Sequence, residues 1–363
     1  MKRLLLALLL FATPAHAASV KDFGAVGDGV TNDTAAVQAA IDEAGRAGGG
    51  LVTLPSGVYL VDPLALRTGV ALVGDGVGAT VIRMRPSATE HNDLIHAIAV
   101  ERVSIRTMTV DVDAANQITQ GSEGTRGIQI DASGGVLIDS VEVLRSGGAG
   151  IKVSSGADVK VVNCSVSLAG VTGLPSPGIE IGASDAVARD ILVTSTRIAY
   201  STQNGISVRA GGSRGSTRGV VLASNVLTDN NQINYTTGAI HVSLQSENIA
   251  VTGNVIRLDP TKTSSVGLFI QPMVAGIMAT GNIVEMSAPG HIGIIVQDLV
   301  GGASRGVMAS SNVLRGPGRG ILVAPSTPVS LMGNDLTAIT NDMRVFVMSP
   351  AAPGLYVNGN PGF

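Results

Sequence analysis

Gly127-Ile128-Gln129-Ile130-Asp131, "GIQID", is a strand-length pattern that the chain keeps restarting. It returns as "GIKVS" at Gly150, "GIEIG" at Gly178, "GISVR" at Gly205, "GAIHVS" at Gly238, "GLFIQ" at Gly267, "GIIVQ" at Gly293 and "GILVA" at Gly320. A second pattern falls inside the periods: "NCSV", "SNVL", "GNVI", "GNIV", "SNVL" and "GNDL". Its asparagines are Asn163, Asn225, Asn254, Asn282, Asn312 and Asn334, with Ser195 standing in the wide first gap. Short alternating strands at this spacing, with no helix between them, exclude a βαβ sheet. Each strand must pair with its equivalent one coil away, ~4.8 Å distant. The expected fold is all-β, a single-stranded right-handed parallel β-helix of about ten coils, in which each repeat contacts its neighbours. The asparagines then stack at one bend, where their amides bond each other and the turn-prone backbone.

A solenoid needs its open end covered. Over residues 31–46, behind Asn32 or Asp33 as N-cap, Ala36, Val37, Ala40, Ile41 and Ala44 recur at helical spacing. This amphipathic helix is expected to cap the first coil. The preceding "GAVGDG", from Gly24 to Gly29, does not follow a strand in a βαβ unit, so it reads as part of the cap and not as a phosphate loop.

Ahead of the cap, Lys2 and Arg3, the apolar run Leu4 to Ala12 and the small-residue site Ala15-His16-Ala17 read as a signal peptide over 1–17. The run is too short to span a bilayer. The expectation is one secreted or periplasmic domain over 18–363 with no membrane contact after cleavage. The chain has 24 Lys and Arg against 27 Asp and Glu, two of the cations lying in the leader. That balance argues against nucleic acid as a partner. Cys164 is the single cysteine, which excludes an intrachain disulfide framework.

"VKDFGAVGDGVTNDTAAVQAAIDEA" from Val20, followed by "GGGLVTLPSGVYLV" from Gly48, resembles the N-terminal signature of the pectate-lyase-like superfamily. The close match covers Ser19 to Asp62, and the remainder matches by repeat pattern. The resemblance implies a right-handed parallel β-helix of the kind found in polygalacturonases, pectate and alginate lyases, epimerases and tailspikes. It does not fix an activity. The motifs of polygalacturonases depart here: Ser176-Pro177-Gly178 precedes "IEIG", and Gln203-Asn204 stands where paired aspartates would. The Tyr-Gly-x-Asp-Pro-His motif of mannuronan epimerases is also missing.

In each "G-I-x-I-x" strand the apolar residues point inward and the x residues outward. The first outward column reads Gln129, Lys152, Glu180, Ser207, His241, Phe269, Ile295, Leu322. The second reads Asp131, Ser154, Gly182, Arg209, Ser243, Gln271, Gln297, Ala324. Ionisable groups gather on the middle coils. A carboxylate, two permanent cations and an imidazole along one strip suit β-elimination on a uronic acid polymer, the acidic polysaccharide expected as partner. A cation neutralises the sugar carboxylate, a base removes the adjacent proton, and an acid assists the leaving oxygen. The expected catalytic set is Lys152, Glu180, Arg209, His241 and Tyr235. Arg209 is the neutralising cation, Lys152 or His241 the base, and Tyr235, on the loop "TDNNQINYTTG", the acid. Gln129, Asp131 and Gln271 are the expected substrate contacts.

Three other readings accompany this one: a polygalacturonase-like hydrolase, disfavoured because paired carboxylates are not assembled; a cross-strand charge ladder with no catalysis; and a polysaccharide-binding or cell-surface protein whose Phe269, Ile295 and Leu322 form a partner surface. No metal centre is expected in the strip. Asp111 and Asp113 offer oxygen ligands for Ca²⁺, although a solvent-facing strand edge is the simpler reading.

Overall fold

The computed structural model describes residues 16–86, 93–117, 124–172, 174–183, 185–211, 215–232, 238–271, 273–297, 305–324, 328–340, 343–347 and 355–361. The expected leader lies almost wholly outside these residues, and its last two, His16 and Ala17, pair with Gly50 and Leu51.

The chain coils as a right-handed parallel β-helix of about ten turns. One sheet of eleven parallel strands runs from Leu64–Ala65 to Val345–Val347 and contains every glycine-led repeat. A second, 22-stranded sheet wraps the other faces. Ser133–Leu144 shows how it bends: its first part pairs with Gly156–Val162 and its last with Ser165–Ser167. The inward residues, such as Ile128, Ile130, Ile179 and Ile181, are fully buried, and a single apolar core extends from Val20 to Ile339. Each such side chain contributes about 1.5–3 kcal/mol by leaving water.

The repeated glycine has a steric cause. A Cβ on Gly127 would sit 2.3 Å from Val143 Cγ1, and one on Gly178 would sit 2.4 Å from Ile198 Cγ2. At both glycines the backbone passes so close to an inward side chain of a later strand, Ser133–Leu144 or Arg197–Ala199, that no methyl fits.

The asparagine column forms a ladder. Asn225, Asn254, Asn282, Asn312 and Asn334 each donate Nδ2 to the next Oδ1, at 2.8–3.0 Å, ending on Asn360. Each Oδ1 also accepts the preceding coil's backbone N–H, as Asn282 does from Asn254 at 3.0 Å. Asn163 and Ser195 do not belong to this column, a correction of one residue. Both are left-handed corner residues, with φ of 55° and 52°, and Cys164 and Thr196 take the ladder slots. Thr196 N–H donates to Asn225 Oδ1 at 3.0 Å, and Cys164 N–H to Thr196 Oγ1 at 3.4 Å.

The cap is the helix Thr34–Arg46, which buries Val37, Ala40, Ile41 and Ala44, while Ala36 packs partly against the core. Asp33 stands at its N-cap, yet its carboxylate turns away from the helix. It accepts from Val26 N–H at 2.6 Å and Gly27 N–H at 2.9 Å. The loop amides therefore hold the chain's own anion, which supports the cap reading over a phosphate loop.

Asp111 differs from the expectation of a solvent-facing edge. It is 2% exposed, takes Arg83 Nε at 2.9 Å and Arg145 Nε at 3.0 Å, and shares Arg145 with Asp113. Carboxylates already claimed by two guanidinium groups do not fit a Ca²⁺ ion, and no His/Cys/Asp/Glu cluster among the described residues has metal-binding geometry.

Asn282→Ala leaves the Asn254 donors and Val251 carbonyl unmatched. We expect it to cost about 1–3 kcal/mol per orphaned group, read as a lowered denaturation midpoint. Asn163→Gly, at an exposed left-handed corner, should stay within about 0.5 kcal/mol of the parent.

Candidate functional site

The register of the eleven-stranded sheet sets the site. Gln129 pairs with Lys152, Lys152 with Glu180, Glu180 with Ser207, Ser207 with His241 and His241 with Phe269. The first outward column is thus continuous, as the repeat demands. Arg209 pairs with Ser243 in the second column.

A groove of about 410 Å³ lies over the middle of this sheet. Lys152, Glu180, Arg209, His241 and Gln271 all line it. Glu180 is 7% exposed and bridges two cations. Arg209 Nε and Nη2 reach its Oε1 at 3.1 and 2.7 Å, and Lys152 Nζ lies 3.5 Å from its Oε2. The Arg209 side chain stays 53% exposed, so the cation anchored by a buried carboxylate still faces the groove. A charge ladder and a candidate site coincide in the same side chains.

His241 closes the ionic stretch. Its Nε2 is 2.8 Å from Gln271 Oε1, and its ring stacks on Phe269 with centroids 5.4 Å apart and planes 25° apart. Burial lowers the imidazole below its ordinary range, the Gln271 hydrogen bond partly opposes this, and the Arg209 charge reinforces it. At neutral pH the ring is therefore an unprotonated base beside a cation.

Two expected contacts lie elsewhere. Gln129 Nε2 donates to Ser154 Oγ at 2.7 Å, and Asp131 Oδ1 accepts from Ser155 Oγ at 2.5 Å; neither lines the groove. Gln129 Nε2 and Asp131 Oδ1 are thus taken by serines of the next coil. Tyr235 lies outside the described residues. Phe269, Ile295 and Leu322 do not form an open partner surface, since they are 4–7% exposed and make a small second apolar cluster with Val266. The repeat places them outside the barrel but says nothing of what folds over them.

The groove also contains residues that the strip reading missed. Arg126, Ala149, Pro177 and Asn204 each immediately precede a repeat glycine, and all four line one wall. Asn204 is fixed by its Nδ2 donating to the Gly238 carbonyl at 2.6 Å. The position before the glycine was readable as a column; the outward pleat drew attention to the other two.

The family model described as rhamnogalacturonase A/epimerase, pectate lyase-like matches residues 17–240. A mannuronan C5-epimerase of Azotobacter vinelandii, AlgE6, is 40% identical over 147 residues, which is 36% of this chain and 17% of that protein. Alginate lyase 7 of the same organism is 53% identical over 74 residues, 18% of this chain and 9% of that protein. The chain thus matches under a fifth of the length of these relatives. The AlgE6 A-module superposes with a TM-score of 0.53 at 20% identity, covering 94% of this chain and 98% of the module. The surface adhesin PfbA of Streptococcus pneumoniae gives 0.71 at 16% identity, covering 94% and 99%. At these identities the superpositions speak for the fold alone.

Burial makes the ladder asymmetric. Glu180→Ala leaves Lys152 and Arg209 without their shared carboxylate beneath the groove, and we expect a loss of about 3–5 kcal/mol. Arg209→Ala removes a half-exposed partner, with an expected loss of about 1 kcal/mol or less. Equal losses in chemical denaturation would contradict this account of the site.

Proposed function

Because the chain belongs to the rhamnogalacturonase A/epimerase, pectate-lyase-like family, we infer that it is a carbohydrate-active enzyme on a uronic-acid-containing polysaccharide. Its reaction removes the proton beside the sugar carboxylate and completes a β-elimination. The observation that carries this reading is the juxtaposition on adjacent coils of the uncharged His241 imidazole and the groove-facing Arg209 guanidinium. The names of the relatives point the same way: C5-epimerisation of mannuronan and lysis of alginate both begin by taking the proton at C5 of a uronate.

In this mechanism Arg209 binds the sugar carboxylate and stabilises the charge that develops on it. His241 accepts the C5 proton, and the C–H electron pair moves into the carboxylate as an enediolate. Collapse of that species forms the C4–C5 double bond and expels the O4 substituent, which must be protonated. Of the two base candidates, His241 is favoured because the Lys152 ammonium is engaged with Glu180 at 3.5 Å. Tyr235 remains the proposed acid. Export to the cell exterior or periplasm, read from residues 1–17, belongs to the same proposal and would bring the protein to such a polymer.

Incubation with alginate, polygalacturonate and glycosaminoglycans, followed by ultraviolet absorbance of unsaturated ends, tests the reaction. Inverted uronate stereochemistry with no unsaturated ends would keep proton abstraction and exclude elimination. No change in any polymer would exclude both.

His241→Ala should lower kcat by about 10²–10⁴-fold with the fold retained. Protonation abolishes the base, so kcat/KM should fall as pH drops through the His241 pKa. Burial and Arg209 hold that pKa below the ordinary ~6.5, so the acid limb should lie on the acidic side of that value. A limb clearly above it would exclude His241.

A further inference from the structure

The first outward column changes character at one point. Lys152 and Glu180, with Arg209 of the second column against them, are ionic, and from Phe269 through Ile295 to Leu322 the column is apolar and buried. His241 stands on the boundary, its ring on Phe269. The apolar cluster, to which no role has so far been assigned, is what anchors that ring platform. Gln271 is fixed independently: its backbone N–H donates to the Val242 carbonyl at 2.9 Å, and its side-chain oxygen meets His241 Nε2 at 2.8 Å.

We propose that Gln271 and Phe269 are positioning residues for His241: the amide oxygen fixes the ring proton on Nε2, the phenyl ring fixes the imidazole plane, and Nδ1 is thereby made the basic nitrogen. This rests on the reading of His241 as the base. A neutral imidazole has one donor and one acceptor nitrogen, and the hydrogen bond made by one decides the state of the other. An amide oxygen accepts only, so the nitrogen facing it carries hydrogen. A neutral acceptor also orients the ring without adding the negative charge that would favour its protonated form. Around the ring, Ser207 and Arg209 come from the preceding coil, Phe269 and Gln271 from the next, and Ser243 from its own strand. Arg209 is the only charged group on these adjoining strands, and Glu180, the carboxylate that lines the same groove, is held by Arg209 itself.

Nitrogen-15 NMR of histidine-labelled protein reads the ring directly, with the His241 signal identified by its loss in His241→Ala. We expect the Nε2–H tautomer in the parent. Gln271→Glu, which places a carboxylate against Nε2, should raise the titration midpoint by about one unit or more. The Nδ1–H tautomer, or an unmoved midpoint in Gln271→Glu, overturns the proposal. In kinetics, Gln271→Met removes the acceptor at nearly constant size and should lower kcat about tenfold, the equivalent of one hydrogen bond, with KM unchanged. In Gln271→Glu the acid limb should move upward in step with the NMR midpoint. Unchanged kcat in Gln271→Met also overturns positioning. The NMR arm uses no substrate, so an inactive protein whose His241 titrates as expected would defeat the enzymatic reading while leaving the pairing intact.

Discussion

Parallel backbone pairing in strict register, one coil against the next, is the constraint on which this molecule depends. It converts a separation of nearly thirty residues into a distance of ~4.8 Å. Ile128 meets Ile151, Ile151 meets Ile179, and Ile179 meets Ile206, so one inward column becomes a continuous core. The same register places Lys152 beside Glu180 and Ser207 beside His241 on the outer surface. Core and groove are two faces of one set of hydrogen bonds. A slip of one residue would exchange them, burying charge and exposing isoleucine. The apolar faces make such a slip prohibitive, and the groove inherits that precision.

Corners need their own solution, because a bend interrupts the sheet and leaves backbone groups unpaired. The asparagine ladder solves this with one residue type that donates and accepts at once. Each amide satisfies the coil before it through Oδ1 and, through Nδ2, both the next asparagine and a backbone carbonyl, as Asn254 does at 2.9 Å to Leu222. Immediately before each ladder position the chain takes a left-handed turn, at Ser224, Gly253, Gly281, Ser311 and Gly333. The ladder stops where its chemistry weakens: Thr196 and Cys164 offer a single hydroxyl or thiol, and the hydrogen bond lengthens to 3.4 Å.

Periodicity made the coils, the cap and the outward columns legible in the sequence, because each depends on spacing alone. Lys152, Glu180, Arg209, His241 and Gln271 could be gathered on one face for that reason. Errors arose where a neighbour outside the repeat decides the outcome. Asp111 reads as an edge residue until Arg83 and Arg145, 28 and 34 residues away, are seen to enclose it. Phe269 and Leu322 read as exposed because the column is outward, and nothing in a strand pattern tells what covers it. Asn163 was misassigned because asparagine suits both a left-handed corner and the ladder slot beside it, and only the register distinguishes them. The wall formed by Arg126 and Asn204 does not follow from the outward pleat, because those residues stand just before the repeat glycines.

The location of the groove follows from a conflict between electrostatics and burial. A β-helix could carry charge along every outward column, but Glu180 at 7% exposure needs a cation against it, and Lys152, itself buried, supplies one beneath the half-exposed Arg209. An imidazole kept uncharged requires the reverse, a poorly solvated surface with no anion in contact. The coil where the ionic residues meet the apolar ones satisfies both demands. Arg209 belongs to the ionic side and His241 to the apolar side, and they lie on paired strands. The abrupt change in the outer column, which looked in the sequence like the loss of a functional face, is the physical condition that lets one cation and one neutral base coexist there.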